Sequence, residues 1–350
     1  MKFKIGNLNI SKENVTIIAE AGVNHNNRID YAEELIKEAK LAGAHIIKFQ
    51  TYKADKLVSK LAPRFWNWKG EVKKKGSQHD SYSRLDKFEF KDYKKLKELC
   101  DKYKIEFMST PFDLDSVDML YDLGMKAFKI ASCDITNYQL IEHIAKKKLP
   151  ILLSTGASNL QEIIEAVKII KNNNNNKICI MHCTLSYPTK SSDANLGALI
   201  EIKKKFPEAI LGLSDHTLGT LVAPASILYG VNVIEKHFTI NKKLKKSADH
   251  WLSVNPKELK ELVDNSKNIL AAKGIEKKIK LKCETKTHMF ARRSIFTSKK
   301  IIKGEKLTIQ NIICKRPGIF ISANKIKKIL GKRLNKTLKE DKPILLKDLI

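Results

Sequence analysis

The 350-residue chain has no run of about 18 consecutive apolar residues, which is the length that a membrane-spanning helix needs. Its first residues also lack the apolar core of a signal peptide. The six cysteines include no Cys-x-x-Cys pair and lie mostly in apolar runs. We therefore expect a cytoplasmic protein with no membrane partner. We also expect reduced, buried thiols at six positions: Cys100, Cys133, Cys179, Cys183, Cys283 and Cys314.

Acidic residues are few: the chain has 38 Asp and Glu residues and 66 Lys and Arg residues, which gives a formal net charge of +28. Such a charge can attract nucleic acids. Nearly all the basic residues are lysines, however, and they are spread over every helix-like segment instead of being gathered on one face. The run of asparagine at 172–176 is typical of a compositional drift of the genome. We expect no nucleic-acid partner.

The order of the predicted elements favours an α/β fold. Eight apolar runs of strand length alternate with segments of helical period. These runs are residues 15–22, 45–52, 106–112, 126–134, 150–156, 177–184, 209–214 and 231–238. Parallel strands need a crossover helix between them, so the alternation predicts a (β/α)₈ TIM barrel, with an open doubly wound sheet as the second choice. The polar residues at the carboxyl ends of the strands favour the barrel, because a closed barrel makes them converge at one mouth.

The composition changes after residue 272, which suggests a domain boundary. We expect a TIM-barrel catalytic domain over 1–272, a charged linker over 273–286 and a small domain over 287–350. A domain of about 60 residues has a marginal core. The small domain is therefore expected to dock on another surface, for which a barrel mouth is the nearest candidate.

Two strand ends between residues 211 and 250 carry side chains that a buried strand does not need. Side chains alternate along a strand, so Ser214 shares a face with His216, and Glu235 shares a face with His237. If the two strands are neighbours, two imidazoles and a carboxylate meet. Two histidines suit a divalent metal with open positions for substrate oxygens. A pair of satisfied core histidines is the alternative.

Other strand ends carry groups that indicate an anion site. Lys48 and Lys129 lie in apolar strands, where the charge of each must be compensated by a bound anion or a carboxylate. Three serines add hydroxyls at strand ends: Ser132, Ser154 and Ser214. Together they predict a site for a ligand with phosphate and carboxylate groups, although each lysine alone could be half of a structural ion pair. A metal beside this anion, with Glu20 and Glu235 nearby, suits the joining of a phosphorylated enol to an aldehyde.

The connection over residues 53–90 is long and irregular, and it contains aromatic side chains that include Trp66, Trp68 and Tyr82. A loop of this length in a compact domain is usually a functional lid or disordered. The aromatic content predicts either an ordered lid or a surface that packs on a partner.

Short motifs follow one another along the whole chain. In order they are IAEAGVNH at 18–25, KFQT at 48–51, STPF at 109–112, KIAS at 129–132, LSTG at 153–156, HCT at 182–184, YP at 187–188, GLSDHT at 212–217 and EKHF at 235–238. This series resembles the sialic acid synthase family. IKGE at 302–305 and KRPG at 315–318 resemble the antifreeze-like (SAF) domain of that family. The resemblance implies a TIM barrel followed by a small SAF domain.

The resemblance also implies a reaction. The family condenses phosphoenolpyruvate with an N-acetylated mannose-type sugar and water, giving phosphate and a nine-carbon 2-keto acid such as N-acetylneuraminate. It implies that His216 and His237 hold Mn²⁺ or Mg²⁺, which activates the open-chain sugar aldehyde. Glu20 and Glu235 would position the sugar and move protons. The implied phosphoenolpyruvate-binding residues are Lys48, Lys129, Ser132, Ser154 and Ser214.

For the sugar, the resemblance implies contacts with Gln50, Tyr187 and Asp249. The SAF domain of the family caps the barrel of the partner subunit in a domain-swapped homodimer. Arg316 of the KRPG motif would reach the N-acyl group of the sugar there. A two-fold dimer makes this exchange reciprocal.

Two features leave the sugar open. Leu185 follows His-Cys-Thr where N-acetylneuraminate synthases tend to have Asn, and Ser186 then precedes Tyr187. The 53–90 loop matches no pattern of the family that can be transferred residue by residue. Precursors of legionaminic or pseudaminic acid are therefore alternatives. A synthase that acts on a phosphorylated aldose is a further enzyme alternative, but it would have to bind a second phosphate. A non-catalytic binding protein is the alternative from a different class.

Overall fold

Eight parallel strands form one sheet in the computed structural model, which describes residues 2–66 and 76–350. The strands are β1 Thr16–Gly22, β2 Ile46–Thr51, β3 Glu106–Pro111, β4 Phe128–Ile130, β5 Ile151–Ser154, β6 Ile178–Cys183, β7 Ile210–Asp215 and β8 Val231–His237. Their order across the sheet is β3-β2-β1-β8-β7-β6-β5-β4, and the two end strands approach each other. The sheet is thus a nearly closed (β/α)₈ barrel, and the predicted fold class is confirmed.

A helix follows each barrel strand. These helices are α1 Ile29–Leu41, α2 Phe90–Tyr103, α3 Leu114–Asp122, α4 Tyr138–Lys146, α5 Leu160–Asn172, α6 Ala198–Lys205, α7 Val222–Ala225 and α8 Pro256–Lys273. The connection between β2 and α2 also contains two short helices, Ala54–Leu57 and Gln78–Tyr82. Trp68, which belongs to the predicted lid or partner surface of the 53–90 connection, lies outside the described residues.

The local sequence explains these elements. Strand β6 is buried at every position and largely apolar, because both faces of a barrel strand are covered, one by the barrel interior and one by the helices. Helix α1 buries its apolar positions at helical spacing: Ala32, Leu35, Ile36 and Ala39. Asn255 accepts a hydrogen bond from the backbone of Glu258, and Pro256 occupies the first turn of α8, which fixes where this helix begins.

The close packing of the barrel interior is visible at Gly212 on β7. A Cβ atom there would lie 2.7 Å from Cγ of Met181 and 3.1 Å from the carbonyl oxygen of Val233. Only glycine leaves room for this approach.

The strand register brings the polar carboxyl ends together. Glu20 of β1 pairs with Lys48 on one side and with His237 on the other. Glu235 of β8 pairs with Ser214 of β7. Because all the strands run in the same direction, these residues lie at one end of the barrel.

Three local details differ from the predictions. The sequence did not predict the antiparallel hairpin of Phe3–Ile5 and Leu8–Ile10. The strand predicted over 126–134 is shorter, because the chain turns into a 3₁₀ helix at Ser132–Asp134. The segment of helical period between the seventh and eighth strands contains only one α-helical turn, Val222–Ala225, and continues as the 3₁₀ helix Ser226–Tyr229.

The chain divides into two compact units, Met1–Gly274 and Ile275–Ile350. The second unit contains helix α9, Thr285–Phe290, and an antiparallel pair, β9 Ser294–Thr297 and β10 Ile312–Lys315. Its own core consists of aliphatic side chains: Ile295, Ile301, Leu307, Ile312, Ile321, Ile329, Leu334 and Ile344. The stretch predicted as a linker, 273–286, ends in a 3₁₀ helix at Lys282–Glu284 and the first residues of α9.

The cysteines are only partly as predicted. All six are free thiols, and three are buried, at Cys100, Cys179 and Cys183. Cys133 and Cys283 are exposed, and Cys314 is half-buried. The prediction of buried thiols is wrong for these three. Cys133 and Cys283 lie in 3₁₀ turns, where the chain has left the barrel strands or not yet entered the second core.

Among the described residues, no helix combines the length and the apolar character needed to cross a membrane.

Candidate active site

A cavity of about 620 Å³ opens at the carboxyl ends of the barrel strands. Twelve of the predicted site residues line it: Glu20, Lys48, Gln50, Lys129, Ser132, Ser154, Tyr187, Ser214, His216, Glu235, His237 and Asp249. Arg316, the remaining predicted site residue, belongs to the second unit, where it is exposed. The barrel thus gathers groups from seven of its strands and their loops into one mouth.

The floor of the cavity is a network of buried charges. Lys48 Nζ lies 2.7 Å from Glu20 Oε2 and 3.7 Å from Glu235 Oε1. Lys129 Nζ lies 2.7 Å from the same Glu235 oxygen, which also accepts a hydrogen bond of 3.0 Å from Ser214. Each lysine therefore forms an ion pair with a carboxylate, as a charge in an apolar strand requires.

The two glutamates differ in their proton affinity. Burial raises the pKa of Glu20 to about 7, because the nearby positive charge of Lys48 only partly offsets the loss of solvent. Glu235 is equally buried, but Lys129 and Lys48 outweigh the burial and lower its pKa to about 2. Near neutral pH, Glu20 can hold a proton while Glu235 stays ionised. Such a pair, with its pKa values pushed apart, can supply one proton donor and one proton acceptor.

Some polar atoms in this wall have no hydrogen-bond partner among the described residues. They include the hydroxyl of Ser154 and Oε2 of Glu235. Buried polar groups in proteins are nearly always satisfied. These unsatisfied atoms therefore mark where a polar ligand would bind.

The hydroxyl of Ser132 is held by the backbone of a neighbouring strand end. Ser132 Oγ accepts a hydrogen bond of 2.9 Å from the backbone N–H of Gly156. A Cβ atom at Gly156 would lie 2.9 Å from the same oxygen, so glycine keeps this approach open. The hydroxyl of Ser132 is thereby fixed beside the Lys129 strand.

The two histidines meet, as the strand phase predicted. Their ring centroids are 5.4 Å apart, and the ring of Tyr187 lies 4.1 Å from that of His216. His216 Nδ1 lies 2.9 Å from the carbonyl oxygen of Thr184. A carbonyl can only accept, so Nδ1 carries the proton and Nε2 presents a lone pair.

His237 is a neutral imidazole with an unused nitrogen. Burial lowers its pKa well below the usual range, and the neighbouring His216 adds to the effect. Its Nδ1 has no hydrogen-bond partner in the described part of the chain, and Asp249 Oδ2 lies 3.7 Å away. Burial opposes a charge on His216, but Cys183 beside its Nδ1 raises the pKa of this ring. A metal at His216 would therefore compete with a proton.

These observations test whether a divalent metal fits here. The described residues contain no cluster of three or more His, Cys, Asp or Glu side chains arranged around a metal. The lone pair of His216 Nε2 and the unpaired Nδ1 of His237 fit an ion that takes its other ligands from water and substrate. The residues present therefore fit Mn²⁺ or Mg²⁺ with an open coordination sphere.

The rim of the cavity carries the predicted sugar contacts. Gln50 Nε2 donates a hydrogen bond of 3.0 Å to Glu20 Oε1. Burial raises the pKa of Asp249 to about 6, and the chain around it is held by Ser253, whose hydroxyl donates to the Asp249 carbonyl oxygen at 2.7 Å. These groups can recognise hydroxyl and amide substituents.

Sequence reasoning missed two contributors to the site. Thr110 accepts a hydrogen bond of 2.8 Å from Lys48 Nζ and lines the cavity. It pairs with Gln50 in the strand register, so the expectation that polar residues at the carboxyl ends of strands converge at one mouth applied to it as well. The carbonyl oxygen of Thr184 holds His216, but a backbone carbonyl carries no sequence signal.

Known proteins are similar to this chain in sequence and in fold. The NeuB family profile matches residues 35–278, and the SAF domain profile matches residues 292–350. The chain is 39% identical to N,N'-diacetyllegionaminic acid synthase of Legionella pneumophila subsp. pneumophila, over 92% of this chain and 91% of that protein. It is 40% identical to the enzyme of the same name from Campylobacter jejuni subsp. jejuni, over 94% and 98%. The crystal structure of N-acetylneuraminic acid synthetase from Leptospira borgpetersenii is 35% identical, with a TM-score of 0.73 over 82% of this chain and 95% of that chain.

Proposed function

Because this chain belongs to the NeuB family, we propose that it joins phosphoenolpyruvate to an N-acylated amino sugar and releases phosphate. The product would be a nine-carbon 2-keto acid of the sialic acid type. The observation that carries the proposal is the pairing of two buried lysines with two adjacent imidazoles in one cavity. The lysines suit an anion, and the imidazoles suit the metal that an aldehyde acceptor needs.

Phosphoenolpyruvate would bind over the floor of the cavity. Lys48 and Lys129 point their ammonium groups into this space, where they pair with Glu20 and Glu235. The phosphate and carboxylate groups of the substrate would share these charges. The hydroxyls of three serines would complete the set: Ser132, Ser154 and Ser214. The unsatisfied hydroxyl of Ser154 supports this placement.

In the reaction, carbon 3 of phosphoenolpyruvate bonds to the aldehyde carbon of the open-chain sugar. A water oxygen adds to carbon 2, and phosphate leaves with cleavage of its C–O bond. Glu20, which can be protonated near neutral pH, would donate a proton to the developing alkoxide. The ionised Glu235 has a free acceptor in Oε2 and would take the proton from the water.

His216 and His237 would hold the metal, Mn²⁺ or Mg²⁺. When bound, the metal supplies Lewis-acid polarisation of the sugar carbonyl. Thr184 fixes the His216 ring through Nδ1, and Tyr187 packs against the same ring. These contacts orient the imidazole before substrate binds.

The sugar would lie at the rim, where Gln50, Tyr187 and Asp249 contact it. We propose that it is a six-carbon sugar with acetamido groups, because nine product carbons minus three from phosphoenolpyruvate leave six. N-acetylmannosamine fits this description. The similarity to two N,N'-diacetyllegionaminic acid synthases favours a hexose with two acetamido groups instead, and a pseudaminic acid precursor is a further candidate.

The function can be tested with purified protein, Mn²⁺ and phosphoenolpyruvate. The panel of acceptors contains N-acetylmannosamine, hexoses with two acetamido groups, and phosphorylated forms of each. We expect phosphate release with an unphosphorylated sugar and a product whose mass equals sugar plus phosphoenolpyruvate plus water minus phosphoric acid. Turnover only with a phosphorylated aldose would reject the proposal in favour of a keto-sugar-phosphate synthase.

The raised pKa of Glu20 predicts a pH dependence. A required proton on a group with a pKa of about 7 is lost as the pH rises, so kcat/KM should fall about tenfold per pH unit above pH 7. Glu20→Gln should lower kcat/KM by about 10²–10⁴-fold below pH 7 and remove this alkaline decrease. Glu142→Gln, an exposed glutamate on α4, should behave like the wild type. An unchanged alkaline decrease in Glu20→Gln would assign it to another group.

We further propose a homodimer in which Arg316 of one subunit completes the site of the other. The second unit exposes large apolar side chains, such as Ile275, which is 63% exposed, and Phe290, which is 55% exposed. A dimer interface over this unit would cover such side chains.

Mixed dimers test this sharing. In a heterodimer of Arg316→Ala and Glu20→Ala subunits, one of the two composite sites is intact, so about half of the wild-type turnover should return. A heterodimer of Glu20→Ala and Glu235→Ala subunits is the control. Both of its barrels are impaired, and it should show no recovery. If the first heterodimer forms but stays as inactive as its parents, the shared site is wrong.

A further inference from the structure

A buried ion pair lies behind the two histidines, on the outer face of the barrel sheet. Lys236 Nζ is 2.7 Å from Asp215 Oδ2, and the two side chains are 1% and 3% exposed. Lys236 also donates to the carbonyl oxygen of Thr217, and Asp215 accepts a hydrogen bond of 2.9 Å from the backbone N–H of Thr217. The pair does not line the cavity that contains the histidines. Since side chains alternate along a strand, it lies on the opposite face from them.

The position of this pair in the sheet is distinctive. Lys236 and Asp215 are register partners, and the ladder between β7 and β8 ends with them. His216 follows the last residue of β7, so no ladder hydrogen bond to β8 holds it. The Lys236 ammonium group bridges this point, because it binds the residue before His216 and the residue after it.

Stability alone does not account for such a pair. A buried ion pair contributes little net stability, because the desolvation of two charges offsets their attraction, and apolar residues of similar volume can serve as well. What apolar residues cannot supply is a set of directed bonds between two strand ends. Lys236 supplies three: to the carboxylate of Asp215 and to the carbonyl and hydroxyl oxygens of Thr217.

We propose that Lys236 and Asp215 are positioning residues that set the spacing of the His216 and His237 imidazoles. Each lies next to one histidine in the chain, so their bond fixes the backbone from which each ring projects. Thr189 holds His216 from the other side, where its backbone N–H donates to the His216 carbonyl oxygen at 2.9 Å. This ion pair, which we call the Lys236–Asp215 clamp, thereby tunes the affinity of the site for a divalent metal. This inference rests on the proposed function, because it needs the two rings to share a metal.

The test compares Lys236→Met with the double variant Lys236→Met/Asp215→Asn. The single variant leaves a buried carboxylate unpaired and should be unstable, whereas the double variant carries no unpaired charge and should recover stability. The Mn²⁺ dissociation constant is measured by titration calorimetry, and the midpoint of urea unfolding is measured beside it. We expect Mn²⁺ binding about 10–100-fold weaker in both variants, because the backbone from which the two imidazoles project is no longer fixed. Turnover at saturating Mn²⁺ should recover in the double variant.

Leu262→Ala in α8 is the control for stability. Leu262 is fully buried and lies in a helix packed outside the barrel, so its truncation should lower the unfolding midpoint while Mn²⁺ affinity stays at the wild-type value. Wild-type Mn²⁺ affinity in the stable double variant would overturn the clamp. Equal loss of Mn²⁺ affinity in Leu262→Ala would also overturn it, since the effect would then follow stability. If the wild type and His216→Ala bind Mn²⁺ equally, the metal site of the proposed function fails, and the clamp inference fails with it.

Discussion

Replacing His237 with alanine should lower turnover by about 10³-fold while the protein stays folded. The loss corresponds to about 4 kcal/mol of transition-state stabilisation, which is the scale of Lewis-acid polarisation of a carbonyl. The folded state should tolerate the change, because His237 Nδ1 makes no hydrogen bond to any described residue. His216→Ala should lose as much turnover, but it also loses the contact with the Thr184 carbonyl and should be less stable. Turnover by phosphate release and unfolding by urea measure the two effects.

Metal removal should reproduce the loss without any mutation. Chelation followed by gel filtration should abolish turnover, and added Mn²⁺ or Mg²⁺ should restore it in the wild type but not in His237→Ala. His143→Ala is the matched control, because this histidine lies on the surface of α4 and pairs with Asp118. It should retain wild-type turnover. Full turnover in a preparation shown to be free of metal would remove the metal from the reaction.

The convergence of the polar side chains at the barrel mouth could be predicted from sequence, because it depends on two simple regularities. Side chains alternate along a strand, and parallel strands place their carboxyl ends at one edge. Ser214 and Glu235 follow both rules, and the structure makes them register partners. The prediction needed no knowledge of loops or of long-range packing.

The partners of the lysines could not be predicted. The sequence required an anion or a carboxylate beside Lys48 and Lys129, but it offered no means to choose between a ligand and a glutamate. The choice depends on the radius and tilt of the barrel, which bring Glu20 within reach of Lys48 and Glu235 within reach of both ammonium groups. Thr110 was missed for a different reason, since the strand rule applied to it but threonine is common in strands.

Features that depend on irregular segments were the hardest to predict from the sequence. The His216 ring is oriented by a backbone carbonyl at Thr184, and every residue has such a group. The exposed thiol of Cys133 depends on where β4 ends, which an apolar run does not fix. Turns and loops are determined by contacts that are distant in sequence, so they become predictable only after the barrel is known.

The second large effect is expected on stability, when the buried network of Lys48, Lys129, Glu20 and Glu235 loses a charge. Lys129→Met should lower the free energy of unfolding at pH 7 by about 3 kcal/mol, near the lower end for breaking a buried ion pair. The reason is that Glu235 would stay buried without its 2.7 Å partner, although Lys48 at 3.7 Å would still compensate part of its charge. Turnover should also fall, because one of the two cations proposed for phosphoenolpyruvate is gone.

The effect of Lys129→Met should depend on pH. In the wild type, the lysines lower the pKa of Glu235 to about 2, so its contribution to stability is present above its unfolded pKa of about 4.5 and is lost as the pH falls toward 2. Without Lys129, burial raises the pKa of Glu235, and protonation then relieves the unpaired charge. The difference in unfolding free energy between wild type and variant should therefore shrink as the pH falls from 7 to 4. Urea unfolding at several pH values measures it.

A double variant separates stability from function at the same position. Lys129→Met/Glu235→Leu removes both charges and should recover most of the lost unfolding free energy, because it leaves no buried charge unpaired. Turnover should not recover, since both groups are proposed to act on substrate. Lys146→Met on α4 removes a lysine from an exposed pair with Glu142 and should change stability by less than about 1 kcal/mol. If Lys129→Met were as stable as Lys146→Met at pH 7, the buried network would not have the energy that its geometry implies.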